Sequence, residues 1–251
     1  ENYHRLKVFY CQWQFVEDSN RQYSENMYIR QGIVFSGRMF ELNGFADLDN
    51  EEFTTKFFIK PTEPHALDTM LKSLLTPNLD SQPKPRQLLA SYDIKVRSQG
   101  TCGSCWAFSA ITTLEKYYWD KYSIRLYLSP QHLVDCDGEN RGCDSGWEYN
   151  ALEYVKRNGA RTETEYGYAG VQGTCRESST QRVDIPFQSV SNSLFSVQLA
   201  EERIIEGNHL GGLVYATGKF RYLANNDEIY DATLSEECDN MSNHAISIVG
   251  A

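Results

Sequence analysis

The stretch Gln99-Gly100-Thr101-Cys102-Gly103-Ser104-Cys105-Trp106 sets two sulfurs three positions apart, just ahead of an apolar run. Three chemistries fit a pair so spaced. Zinc needs about four soft ligands brought together, yet no second close pair accompanies this one: Cys136 and Cys143 are seven apart, and His132 and His244 are isolated. A dithiol redox centre would follow a strand, with its first cysteine exposed at a helix start. Here the second cysteine opens the helix, and Cys136, Cys143, Cys175 and Cys238 follow downstream. The third chemistry separates the roles. Cys102 is structural and bonded to a distant cysteine, while Cys105 sits in the first turn of a helix, where free N–H groups and the helix dipole lower a thiol's pKa. A thiolate there attacks carbonyls if an imidazole lies within hydrogen-bond reach. His244, at the mouth of a predicted strand, is the best candidate; His4, His65, His132 and His209 read as surface or packing residues.

Positioning these groups falls to the elements around them. Ala107, Phe108, Ile111, Leu114 and Tyr118 share one face at helical spacing, which predicts a largely buried helix from Cys105 to about Lys121. Further helices are predicted over Pro130–Cys136, over Gly146–Asn158 with Gly159 as its stop, and over residues 194–206. Leu213-Val214-Tyr215 and Ala245–Val249 read as strands. Upstream, Leu6, Phe9, Trp13 and Val16 recur at helical spacing in an amphipathic helix over residues 4–30. Residues 34–48 alternate loosely and suit a short strand; Asp49, Glu51 and Glu52 start a helix reaching about Phe57. Between the two halves, TPNLDSQPKPRQ (76–87) holds three prolines and few apolar groups, the composition of a linker or extended segment. Helices come first and strands later, the order of an α+β protein with a helical half and a sheet half.

Composition narrows the function classes. At 251 residues, with 41% apolar and 23% charged residues, the chain can form one large packed domain or two modest ones and is not of the disordered class. No stretch approaches the ~20 continuous apolar residues of a transmembrane helix, and Glu1-Asn2-Tyr3-His4 has no signal-peptide character. A net charge of −10, without a basic stripe interleaved with aromatics, argues against nucleic acid as a partner. Seven cysteines are an odd count, which leaves at least one without an intrachain mate. The triplet Asn240-Met241-Ser242 permits glycosylation if the chain is secreted.

QGTCGSCWAFSA (99–110) resembles the nucleophile segment of papain-family cysteine proteases, the cathepsin-like group, and SNHAISIVGA (242–251) is similar to their histidine segment. The separation of Cys105 from His244 lies in the family's range. LSPQHLVDCD (128–137), GCDSGWEYNALEYV (142–155) and EYGYAG (165–170) resemble successive family blocks. Upstream, Asn43, Phe45 and Asp47 match a motif of the family's inhibitory propeptide, which Glu17 and Arg21 suit weakly.

The resemblance implies a papain-like two-lobe fold, a helical lobe plus an antiparallel sheet or barrel lobe, preceded by a mainly helical propeptide. Residues 1–87 would be the inhibitory propeptide and linker, and 88–251 the peptidase domain. The activity implied is hydrolysis of peptide bonds in proteins or peptides through an acyl-enzyme. Cys105 is the nucleophile, His244 its base and then its acid, and the Gln99 amide and Cys105 N–H receive the oxyanion. Disulfides Cys102–Cys143 and Cys136–Cys175 are implied, and neither a metal nor a cofactor. The chain's own propeptide would fill the cleft until a cut between Leu74 and Tyr92, favoured at low pH, releases it. A lysosome, vacuole or secreted location follows. By block matching, the pocket for the second side chain before the cut includes Trp147 and Ala245, with Leu213 a weaker member. Nothing charged is expected at its floor, so a hydrophobic or aromatic preference follows; Gly146 offers backbone hydrogen bonds to an extended substrate.

Departures from the family pattern point to a divergent lineage, or to the alternative of a catalytically silent papain-like protein acting as a structural or binding module. Ser145-Gly146 stands for a double glycine, which would narrow the cleft floor, and Glu41 replaces a glycine. The block SYDIKVRSQG (91–100) is abbreviated, residues 201–212 lack a Pro-Val pair, and the stretch from Ile229 to Cys238 is long. Family members also continue past the histidine block with the asparagine that orients the imidazole. The expectation is therefore that the C-terminal part of the sheet lobe, with a mate for Cys238, belongs to a further segment; Cys11 has no assignable family partner.

Overall fold

Residues 2–31, 38, 40–42, 95–191, 197–214, 216, 219–223 and 243–249 are described in a computed structural model of the chain. Contacts divide it into two units, Glu1–Thr55 with Tyr215–Ser242, and Lys56–Val214 with Asn243–Ala251.

The larger unit is built on α2 (Cys105–Tyr122), after the long N-terminal α1 (Asn2–Gln31). Alanines and apolar residues one turn apart let α2 be covered on several sides: Trp106, Ala107, Ala110 and Ile111 are fully buried. They pack with Leu128, Leu133, Ala151 and Val155 into one core, where each large apolar side chain contributes about 2–3 kcal/mol. Ser123, in the left-handed region at φ 54°, ends α2 with its N–H on the Trp119 carbonyl. Next come α3 (Pro130–Cys136), with Pro130 in the first turn and the Ser129 hydroxyl accepting from the His132 N–H, and α4 (Glu148–Asn158). Glu148 in the first turn of α4 and Lys156 and Arg157 in the last suit its dipole.

A final helix, α5 (Val197–Ile205), precedes the antiparallel strands β1 (Leu210–Val214) and β2 (His244–Ile248), which pair Leu213 with Ala245 and Gly211 with Ser247. Both strands pack on α2, so the sheet delivers His244 to the end of the helix that Cys105 begins. The structure joins Cys102 to Cys143 and Cys136 to Cys175, across separations of 41 and 39 residues. Closing loops of that length is worth about 4 kcal/mol each in the chain-entropy treatment.

In the smaller unit, Val16 and Tyr23 of α1 pack with Phe40 and Tyr222. The Asn20 side-chain amide both donates to and accepts from the Phe40 backbone at 2.9 Å, and the Glu41 N–H donates to the Tyr222 carbonyl. The apolar stripe expected on α1 divides: Val16 is buried, while Leu6, Phe9 and Trp13 are exposed. The described partners of α1 meet its second half, which is why Val16 and Tyr23 carry the packing.

Element boundaries shift slightly from the sequence reading. Gly146 and Trp147 precede α4 rather than open it, because Gly146 lies flat on the Trp106 ring; a Cβ there would come within 2.4–2.6 Å of the indole. The strand β1 begins at Leu210, three residues earlier than expected. Of the expected strand over residues 34–48, the described residues are 38 and 40–42, where Phe40 bridges to Leu223. The expected helix at 49–57, the linker 76–87 and the motif residues Asn43, Phe45 and Asp47 lie outside the described residues. Among the described residues, no helix is long and apolar enough to cross a membrane.

Candidate active site

Cys105 is the first residue of α2, and its thiol is free and 1% exposed. The turn ahead of it is pinned from several sides. The Gly103 N–H donates to the Cys143 carbonyl, beside the Cys102–Cys143 bond. The Tyr168 hydroxyl donates to the Gln99 carbonyl at 2.6 Å and lies 2.8 Å from the Ser104 hydroxyl, with its ring edge-on to Phe108. The Gln99 side-chain amide donates to the Cys102 carbonyl at 2.9 Å, which fixes its position beside the nucleophile.

His244 opens β2, and the backbone N–H of its neighbour Ala245 reaches the Cys105 sulfur. Gln99, Cys105 and His244 line one cavity of about 380 Å³, together with Phe108, Ser109 and Ala245. A second hollow of about 410 Å³ lies among Lys95, Tyr127, Glu163 and Tyr168 and contains no nucleophile. The chemistry belongs to the first.

Electrostatics in the cavity differ from the sequence expectation. Burial pushes the Cys105 thiol up, against the lowering effect of the N–H groups of Ala245, Trp106 and Cys105 itself. Burial likewise holds the His244 imidazole below its usual range. Desolvation therefore outweighs the helix end and disfavours the charged form of both groups. An arrangement of this kind can transfer a proton from sulfur to imidazole once charge is stabilised by a bound carbonyl and a wetter, opened site.

The remaining expected site residues fall on the same unit. Gly146 is buried against Trp106, and Trp147 is about half exposed, its backbone N–H donating to the Asn140 side chain at 2.7 Å. Leu213 and Ala245 are register partners on the sheet. The Ser145 hydroxyl accepts hydrogen bonds from the Arg141 guanidinium. His132 is a fully buried packing residue with Nε2 on Glu177 at 2.7 Å. His132, Cys136 and Glu177 converge, but the Cys136 sulfur is spent on Cys175 and supplies no thiolate for a soft metal.

Three features escaped the sequence reading. Arg97, 7% exposed, pairs with the fully buried Glu115 through two hydrogen bonds and anchors the segment entering the nucleophile turn. Tyr168 ties that turn together. The third is the Glu148 carboxylate, which lies on the sheet face shared by Leu213 and Ala245. An acid at a helix start reads in sequence as a dipole complement, which conceals a second use.

The comparisons with known proteins agree with this arrangement. The family described as papain family cysteine protease matches residues 86–251. Caricain from Carica papaya is 35% identical over 179 residues, covering 70% of this chain and 47% of that protein. A cathepsin L-like proteinase from Fasciola hepatica is 36% identical over 140 residues, covering 54% of this chain and 42% of that protein. The chain thus spans about half the length of the curated relatives it matches. A solved structure of digestive procathepsin L2 proteinase from Tenebrio molitor larval midgut, at 22% identity, matches 99% of this chain and 78% of its own with a TM-score of 0.66, a likeness of fold. The fold is a papain-like α+β arrangement, with a helical region and, among the described residues, a small antiparallel sheet of two strands. The chain belongs to the papain family of cysteine proteases.

Proposed function

We propose that this chain is a cysteine-type peptidase that hydrolyses peptide bonds in proteins through an acyl-enzyme. The observation that carries the reading is the free Cys105 thiol at the start of α2, sharing one cavity with His244 and Gln99. His244 takes the thiol proton as sulfur attacks the scissile carbonyl carbon. The oxyanion forms against the Cys105 N–H and the Gln99 amide. Collapse expels the amine, protonated by His244, and water then hydrolyses the thioester with His244 as base.

In the same reading, residues 1–87 are an inhibitory propeptide occupying the cleft and the chain is a latent zymogen. Burial that disfavours charge on Cys105 and His244 suits latency, and the names of several similar solved structures describe proforms. Acid favours release because carboxylates that protonate give up their ion pairs. The compartment that fits is a lysosome, a vacuole or the exterior.

The test is to acidify the purified protein and follow both peptide hydrolysis and chain cleavage by mass spectrometry. A cut between Leu74 and Tyr92 accompanied by new activity is expected; cleavage there without activity would favour the silent binding module. Gln99→Ala should lower kcat about a hundredfold with little change in KM, since the amide acts on the oxyanion and not on the ground-state carbonyl. A KM change alone would remove Gln99 from the chemistry.

A further inference from the structure

The sheet face that packs on α2 carries a rung order. Leu213 and Ala245 are directly paired, and Gly211 and Ser247 form the next rung on the same side, about 7 Å further along the strands. The Ala245 rung adjoins Cys105, through the N–H that reaches the sulfur. One helical step along α2, the Ser109 hydroxyl donates to the Ile246 carbonyl at 2.7 Å, and a further step on, the Thr113 hydroxyl lies 2.9 Å from that of Ser247. At this level sits the carboxylate of Glu148. Thr113 donates to it at 3.1 Å, and a Cβ added to Gly211 would fall within 1.6–2.0 Å of its oxygens. Glycine at 211 therefore leaves the space into which the carboxylate reaches.

This carboxylate is oddly provided for. Ser109 and Thr113 are the groups that favour its charge, and among the described residues no cation does so; burial dominates and pushes it up to about 7. An acid that costs stability, has no counter-charge and takes no part in the chemistry at Cys105 is a candidate for ligand recognition. Its surroundings are open on one side, since Leu213 on the same face is 42% exposed and the adjoining Trp147 is 47% exposed.

We propose that Glu148 is the specificity-determining residue of the sheet face that carries Leu213 and Ala245 beside Trp147, and that it selects substrates with lysine or arginine as the second residue before the cut. The inference rests on the peptidase reading and on the use of this face by that second side chain. Geometry supplies the reach. With the scissile carbonyl at Cys105, a side chain entering over the Ala245 rung must extend about one rung further to meet the carboxylate, the length of a lysine or arginine stem. Leucine ends near Leu213 and leaves a desolvated carboxylate facing apolar atoms.

The preference depends on pH in a defined direction. The groups facing Glu148 are uncharged: Ser109 and Thr113 from α2, Gly211 from β1, and Ser247 from β2 by way of Thr113. The titratable Cys105 and His244 lie further along α2 and β2 and act alike on all substrates, so a ratio of substrates cancels them. Below the Glu148 transition near pH 7 the neutral acid admits leucine or phenylalanine; above it, the carboxylate favours the cation.

The experiment uses the acid-processed protein and four matched peptides with Leu, Phe, Lys or Arg at the second position, assayed at about pH 5 and about pH 8. The Arg-to-Leu ratio of kcat/KM should climb about tenfold or more between these pH values and stay flat in Glu148→Gln, which keeps the size and hydrogen bonds but loses the charge. A flat ratio in the unmutated protein, an unchanged rise in Glu148→Gln, or a preference for Leu at both pH values overturns the proposal while leaving the peptidase reading intact. The unmutated pH profile decides by itself if the variant fails to fold. Failure to cleave any of the four peptides overturns the peptidase reading and this inference with it.

Discussion

Replacing Cys105 by alanine is expected to lower peptide hydrolysis by the acid-processed protein by about five to six orders of magnitude, to the background set by binding alone. The covalent route depends on one sulfur: Cys102, Cys136, Cys143 and Cys175 are in disulfides, and the other free described thiol, Cys11, is exposed on α1. His244→Ala should cost nearly as much, because among the described residues no other imidazole lines the cavity of a thiol raised by burial. The double variant should be scarcely worse than either single one, since nucleophile and base act as a unit. Progress curves with a fluorogenic peptide and thermal melts of each variant check this. A variant that melts normally yet keeps a tenth of the activity would mean that another group performs the attack.

The second large effect concerns stability. Glu115 is fully buried on α2; it takes two hydrogen bonds from Arg97 and one from the Leu128 N–H at 2.7 Å. Burial outweighs these partners and still raises its carboxyl, so the pair does not fully offset its desolvation. Arg97→Met should therefore cost about 3–5 kcal/mol by stranding the carboxylate, whereas Arg97→Met with Glu115→Met should recover most of the loss. For a unit of this size, the single change lowers Tm by about 10 °C. Calorimetry on the two variants and the parent decides the matter. Equal losses in single and double variants would show that the pair contributes net attraction rather than mutual necessity.

How the sequence maps onto the structure depends on the kind of signal each residue sends. The buried helix from Cys105 was legible because alanines and large apolar residues repeat at helical spacing, a pattern set by local geometry. The helix Pro130–Cys136 declared itself through Ser129 and Pro130, a cap and a first-turn residue. Trp147 was read inside a helix because the periodic pattern extends through it; the close approach of Gly146 to Trp106, 40 positions earlier, is a tertiary fact that no local window carries. The thiol's direction of shift was misjudged for a related reason. A helix start is visible in sequence, but the desolvation that outweighs it comes from the burial of the thiol in the folded protein, which no local window carries. Glu148 was hidden twice over, by its ordinary place at a helix start and by dependence on Gly211 in β1.

The most direct test of the account is covalent. Incubation with a peptidyl epoxide or vinyl sulfone, before and after acid treatment, followed by peptide mapping, reads out which sulfur is activated. The account predicts one adduct, on Cys105, that appears or grows sharply after acid and is lost in His244→Ala, while the more exposed Cys11 stays largely unmodified. Labelling of Cys11 with none at Cys105 under every activating condition would contradict it.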